Sequence, residues 1–141
     1  PEQALFTFKG RKLGAAICYE SVFPYLFTTD VKAGADVFFN ITNDGWYLDT
    51  AAPRQHFLVN IFRAVETRRP VLRAANNGIS AVIDPWGRVL AEKKLDESGV
   101  LTAQVPVYTD TGLTFYSSRG HWLGRFCAVI VAAFFLAVIC V

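Results

Sequence analysis

Apolar residues fall along this chain in short runs separated by turn-forming residues, and the period of the runs changes along its length. Lys12 to Cys18 is brief, apolar and bounded by Gly10 and by Cys18-Tyr19-Glu20, which predicts a short buried strand. Ser21-Val22-Phe23-Pro24 then opens a helical stretch, with Pro24 suited to its first turn. Ala35 to Ile41 is a second β-rich run, and Thr42-Asn43-Asp44-Gly45-Trp46 after it is dense in turn formers. From about Ala52 to Arg68, Phe57, Leu58, Ile61, Phe62 and Val65 recur at helical spacing between Pro53 and Pro70. That pattern predicts an amphipathic helix.

Three β-rich segments follow: Val71 to Ala75, Ile79 to Ile83 and Val89 to Ala91. Asn76-Asn77-Gly78 and Asp84-Pro85-Trp86-Gly87 separate them as turns, so an antiparallel series is expected. Val100 to Val107 reads as a last strand, and Tyr108 to Gly120 as a linker without periodicity. Strand, helix, strand, helix and then consecutive strands imply an α/β layered domain whose sheet is covered by helices.

From Phe126 to Val141 the chain is uncharged and almost wholly apolar, about sixteen residues spanning roughly 24 Å as a helix, against a hydrocarbon core of about 30 Å. Adding Trp122, Leu123 and Gly124, with Arg125 snorkelling and Trp122 at interfacial depth, brings the length to about twenty. A membrane-spanning helix over 121–141 is therefore expected. A buried core helix would need a larger surrounding core than this chain offers. Residues 1–107 then form one domain and 108–120 the connection. Arg119 and Arg125 precede the helix and nothing basic follows it, so the local charge count alone puts the globular part in the cytoplasm.

Composition fits this division. The chain of 141 residues is 52% hydrophobic and 18% charged, below the roughly 25% charged residues of an average soluble domain. One folded unit and an apolar tail account for that length. A net charge of +2 gives no basic footprint, so nucleic acid is not an expected partner. The chain has no Met and opens on Pro-Glu-Gln-Ala, as a piece of a longer protein would; trimming of an initiator Met before Pro1 is the other reading. Neither a metal nor a cofactor is expected. Of the three cysteines, Cys127 and Cys140 lie in the apolar run, leaving Cys18 without a disulfide partner.

Cys18 closes a buried strand just before an expected helix start. Backbone N–H groups and the helix dipole there favour a thiolate and can cradle a developing oxyanion, the logic of a nucleophile elbow. A buried free cysteine is also commonly an inert small hydrophobe.

The residues around it carry a resemblance. Gly14-Ala15-Ala16-Ile17-Cys18-Tyr19-Glu20 resembles the nucleophile strand of the nitrilase, or carbon–nitrogen hydrolase, superfamily, and its Ile-Cys-Tyr-Glu form resembles the bacterial apolipoprotein N-acyltransferases. Asn40 to Trp46 with Pro53-Arg54-Gln55-His56, Arg63 to Pro70, Arg73 to Ser80, and Thr114 to Trp122 are similar to further stretches of that family in order and spacing. The resemblance implies the C-terminal part of a nitrilase-like α-β-β-α sandwich followed by one transmembrane helix. It implies transfer of a fatty acyl group from a phospholipid to the N-terminal amine of a diacylglyceryl-cysteine lipoprotein through a thioester on Cys18. A multi-pass protein of the bacterial inner membrane with a periplasmic catalytic domain is likewise implied. So are a general-base Glu and an intermediate-stabilising Lys on segments preceding the cysteine strand; Lys12 and Glu2 do not match those motifs.

The resemblance also places Tyr19 and Glu20 beside the reacting centre, Tyr19 as an acyl-binding wall and Glu20 to orient a partner. Glu20 as a mere helix cap is the alternative. Trp46, with Tyr47, is expected either to meet lipid at the mouth of the site or to serve as a packing anchor. His56 invites a cysteine–histidine dyad, but its place in the helical repeat and the family's Glu base favour a structural role. Two other functions compete with the acyltransferase: a nitrilase-like amidase using water as second nucleophile, and a catalytically silent membrane-anchored fragment.

Overall fold

The computed structural model describes residues 4–108, 112–120 and 122–139; Pro1 to Gln3, residues 109–111 of the expected linker, and His121, Cys140 and Val141 of the expected terminal helix lie outside the described residues. Strands β1 (Phe6–Phe8) and β2 (Arg11–Ile17) pair antiparallel through a turn in which Lys9 and Gly10 both have positive φ. Helix α1 (Pro24–Lys32), β3 (Val37–Asn43), α2 (Ala52–Thr67), β4 (Val71–Asn76), β5 (Ser80–Ile83) and β6 (Val89–Lys93) follow, then α3 (Phe115–Arg119) and α4 (Trp122–Ile139). The strands form one sheet in sequential order, with β2–β3 and β3–β4 parallel and the other pairs antiparallel. The two parallel links are made by α1 and α2, since parallel neighbours need a crossover connection, usually a helix.

Register sorts the side chains. Gly14, Ala16, Phe38, Asn40, Val71, Arg73, Ala81 and Ile83 share the face that the helices cover. Phe27 and Val31 from α1 and Phe57 and Ala64 from α2 close the core against it. The Phe27 and Phe38 rings lie 4.6 Å apart, and the close approach depends on Gly14, where an added Cβ would fall 2.5 Å from Phe38 and 2.8 Å from the Asp30 carboxylate. The opposite face carries Leu13, Ala15, Ile17, Phe39, Ile41, Leu72, Ala74 and Val82, apolar throughout, with Ile17 and Ile41 more than half exposed. A sheet apolar on both faces with helices on one is half of a sandwich.

Three features depart from the sequence expectation. Residues 100–107 form no strand; Gly99 and Leu101 to Ala103 lie across the outer sheet face, enclosing a cavity of about 370 Å³ with Phe39, Ile41, Leu72 and Val82. Leu101 is half-buried against the sheet face while Val100 is 89% exposed, and Pro106 has no N–H to give a ladder. Within the expected linker, α3 is a helix capped by Thr114, whose Oγ accepts from Ser117 N at 2.9 Å, while Ser117 Oγ donates to the Glu66 carbonyl at 3.1 Å. In α2 the buried stripe is Pro53, His56, Phe57, Asn60, Arg63, Ala64 and Thr67, while Leu58, Phe62 and Val65 face outward. The helix is amphipathic, but its inner face is largely polar.

Helix α4 is 18 residues with a mean hydropathy of 2.3 and no buried position, long and apolar enough to cross a membrane by length and composition.

Candidate active site

β2 ends at Ile17, and Cys18 turns the chain with φ 52° into a five-residue 3-10 turn, Cys18–Val22. An L-residue in this left-handed region costs about 1–3 kcal/mol and persists only where its surroundings fix it. Here the Cys18 carbonyl is fixed from three sides: Asn40 Nδ2 donates at 3.2 Å, Ser21 Oγ at 3.2 Å, and His56 Nε2 lies at 3.1 Å. A carbonyl oxygen only accepts, so that contact places a hydrogen on Nε2. Pro24 opens α1 as its place in the sequence predicts, but it holds Phe23 extended, at φ −94° and ψ 102°, so the helix does not start immediately after Cys18 and is separated from the 3-10 turn. The backbone strain, rather than a long helix dipole, marks Cys18.

Behind the turn lies a buried polar network. Asp44 Oδ1 accepts from Thr42 Oγ at 2.9 Å and lies 3.0 Å from His56 Nδ1, and its Oδ2 accepts from Arg73 Nη2 at 2.6 Å. Arg73 also donates from Nη1 to Asn40 Oδ1 and from Nε to the Ile79 carbonyl at 3.1 Å. Sheet register builds this arrangement, since Ala16, Asn40 and Arg73 lie side by side on adjacent strands. Gly78 lets the β4–β5 turn close over it, because a Cβ there would overlap the Asp44 carboxylate. Arg63 of α2 donates to the Val22 carbonyl at 3.2 Å, holding the far end of the 3-10 turn. The polar inner face of α2 thus supplies donors to carbonyls that a tight turn leaves without partners.

Burial by itself raises the Asp44 carboxyl, but the His56 hydrogen bond and the Arg73 charge outweigh it and hold the group below the ordinary carboxylate range. Burial pulls the Arg73 guanidinium down, and Asp44 opposes that pull. The Tyr47 phenol is pushed up by burial first and then by its electrostatic interaction with the neighbouring Cys18 and Asp44.

The candidates from sequence distribute unevenly around this turn. Cys18 is half-buried at its apex. Tyr19 is 55% exposed and packs edge-on against Phe23 at 5.9 Å, with Tyr25 beyond, so an aromatic wall stands beside the thiol. Glu20 Oε2 accepts from Ile17 N at 2.7 Å, a brace within the turn. Trp46 is 82% exposed, whereas its neighbour Tyr47 packs against the His56 ring at 5.8 Å. Neither ring nitrogen of His56 bonds the thiol sulfur; Nε2 meets the Cys18 carbonyl and Ser21 Oγ, and Nδ1 meets Asp44. Lys12 Nζ donates to the Ala33 carbonyl at 3.0 Å, at the opposite end of β2 from Cys18. Sequence reasoning passed over Asn40, Asp44 and Arg73 as a group. Polar residues alternating as Asn40, Thr42 and Asp44 along a buried strand, with an Arg inside the apolar run Val71 to Ala75, are the signal that could have found them.

Residues 2–111 match the carbon-nitrogen hydrolase family. The chain belongs to that family. Among relatives of this carbon-nitrogen hydrolase chain are proteins named apolipoprotein N-acyltransferase. That of Agrobacterium fabrum is 44% identical over 126 residues, covering 89% of this chain and 24% of the relative. That of Geobacter metallireducens is 41% identical over 133 residues, covering 92% and 25%. The chain therefore spans about a quarter of the length of the curated relatives it matches. Among solved structures, Saccharomyces cerevisiae Nit3, a nitrilase superfamily member, superposes with a TM-score of 0.61 at 25% identity over 70% of this chain and 39% of that one. A variant amidase from Nesterenkonia sp. AN1 with acrylamide added at its active site cysteine superposes at 0.55 with 23% identity, over 67% of this chain and 39% of that one. The nitrilase-superfamily α/β fold expected from sequence is the observed one.

Proposed function

We propose that this chain is the nucleophile-bearing segment of a bacterial inner-membrane acyltransferase, which moves a fatty acyl group from a phospholipid to the N-terminal amine of a diacylglyceryl-cysteine lipoprotein. The observation that carries this reading is the strained, clamped Cys18 at the end of β2, in a chain 41–44% identical to proteins named for that transfer. Residues 1–107 form the catalytic portion, 108–120 the connection, and 121–141 cross the membrane, with the catalytic portion on the periplasmic face.

The Cys18 thiolate attacks the ester carbonyl of the phospholipid, forming a C–S bond. Collapse of the tetrahedral intermediate breaks the ester C–O bond, and the departing lysophospholipid alkoxide takes the proton that the general base removed from the thiol. The lipoprotein amine then attacks the thioester carbonyl; the C–S bond breaks, the amide forms, and the amine's proton returns to the thiol. Glu20 is engaged with the Ile17 amide and Lys12 with the Ala33 carbonyl, so the base and the oxyanion stabiliser are contributed by other parts of the protein. Tyr19, with Phe23, walls the acyl chain, Trp46 reaches toward the lipid at the mouth of the site, and Glu20 braces the turn.

The test is transfer of label from an acyl-labelled phospholipid to a synthetic diacylglyceryl-cysteine peptide by the complete protein. Label appears on the peptide with wild type and not with Cys18→Ser. Label released only as free fatty acid supports the amidase-like alternative, with water as the second nucleophile. No label leaving the phospholipid supports the silent one.

A further inference from the structure

Beneath Cys18, the His56 side chain has no free nitrogen. Its ring lies between Tyr19 and Tyr47, with centroids at 6.1 Å and 5.8 Å, which fixes the plane. Asp44 Oδ1 lies 3.0 Å from Nδ1, which fixes the rotation, and Arg73 Nη2 holds that carboxylate by donating to its Oδ2 at 2.6 Å. Nε2 is thereby aimed at the Cys18 carbonyl, at 3.1 Å, with Ser21 Oγ at 3.0 Å beside it. The imidazole is buried, the Asp44 and Arg73 side chains are fully so, and Arg73 is itself tied to Asn40, the second donor to the same carbonyl. An entire buried network therefore ends on one backbone oxygen of the one residue in the turn with positive φ.

Resting on the reading of Cys18 as nucleophile, we propose that His56 is a positioning residue for the thiol. Locked by Asp44 and Arg73, its Nε2–H holds the Cys18 carbonyl inward and so keeps the left-handed backbone that presents the sulfur outward. The carbonyl and the Cβ of one residue project from the same Cα, so anchoring the first sets the direction of the second. His56 acts through the peptide and takes no proton from the thiol. A dyad base would need a ring nitrogen on sulfur, and both nitrogens are engaged elsewhere.

Acrylamide is the probe, because its addition at a thiol needs no lipid, and mass spectrometry reads the adduct at Cys18 in the complete, detergent-solubilised protein. Gln at position 56 keeps an N–H near the place of Nε2 and cannot titrate near neutral pH. His56→Ala is expected to slow addition at least ten-fold, while His56→Gln recovers to within three-fold of wild type with an unaltered pH profile of the rate. If His56→Ala does not fold, His56→Gln alone decides on the same criteria. His56→Gln more than ten-fold slower, or with a pH profile that loses a limb, overturns the proposal in favour of a proton-transfer role. Wild-type speed in His56→Ala, or no adduct at Cys18 in wild type, overturns it as well. Protein that adds acrylamide at Cys18 yet takes no acyl group from phospholipid refutes the acyltransferase reading, while the variant rates still decide positioning.

Discussion

Replacing Arg73 by Met removes the guanidinium paired with the Asp44 carboxylate in a site where both side chains are fully buried. Asp44 would keep Thr42 and His56 as partners, and Asn40 Oδ1 and the Ile79 carbonyl would each lose a donor. Breaking a buried ion pair from one side costs roughly 3–5 kcal/mol. Met fills much of the volume, so an expected loss of about 4 kcal/mol takes a large share of the roughly 5–15 kcal/mol that holds a domain folded. At about 2–4 °C per kcal/mol for a catalytic domain of ordinary size, melting should fall by roughly 8–16 °C. Arg73→Lys keeps the charge but loses the planar fork that reaches three acceptors, and should fall by about half as much.

The pH dependence follows from the sign of the Asp44 shift. Its folded-state carboxyl is held below the ordinary value of 3.8, so its stabilisation is fully present above that value and is lost as pH falls through the lower, folded one. The gap between wild type and Arg73→Met should therefore be constant from neutral pH to about pH 5 and narrow below about pH 4. Thermal unfolding of the purified protein across that range is the assay. A variant melting within about 2 °C of wild type at pH 7 would refute the network as a determinant of stability.

Other substitutions read other parts of the account. Burial raises the Asp30 carboxyl to about 6, so the folded state binds the extra proton and stability falls as pH rises from about 4 through 6; Asp30→Asn should raise the melting temperature at pH 8 and change it little at pH 4. Gly78→Ala puts a methyl group onto Asp44, and should cost a few kcal/mol, about 1–3 by the usual scale of overpacking, while slowing thiol acylation in a stopped assay. Trp46→Ala, at an 82% exposed position, should leave melting unchanged and raise KM for phospholipid with kcat preserved; an unchanged KM would remove Trp46 from the lipid contact.

The apolar runs Lys12 to Cys18 and Ala35 to Ile41 were enough to place β2 and β3, because strands with two apolar faces read as continuous apolar runs. Helix α2 was placed correctly and its face was not: Leu58, Phe62 and Val65 point outward because the inner side must offer donors to the turn after Cys18. No hydrophobic period carries that requirement. Strand β1 is three residues long, all exposed, and gains its identity only by pairing with β2. In the candidate site, Cys18 was legible from its neighbours as a candidate nucleophile. Its clamp was not, since Asp44 lies 12 residues from His56 and 29 from Arg73, and only strand register and the packing of α2 bring them together.

The central claim, that Cys18 carries the acyl group, is tested most directly by the peptide that contains it. Incubation of the complete protein with a phospholipid of known acyl chain, rapid quenching in acid and cleavage after Lys12 and Lys32 should yield Leu13–Lys32 heavier by one acyl group. The increment should vanish on treatment with neutral hydroxylamine and be absent from Cys18→Ala. Transfer that proceeds at the wild-type rate in Cys18→Ala, or an acyl increment on any other peptide in its place, would contradict the account.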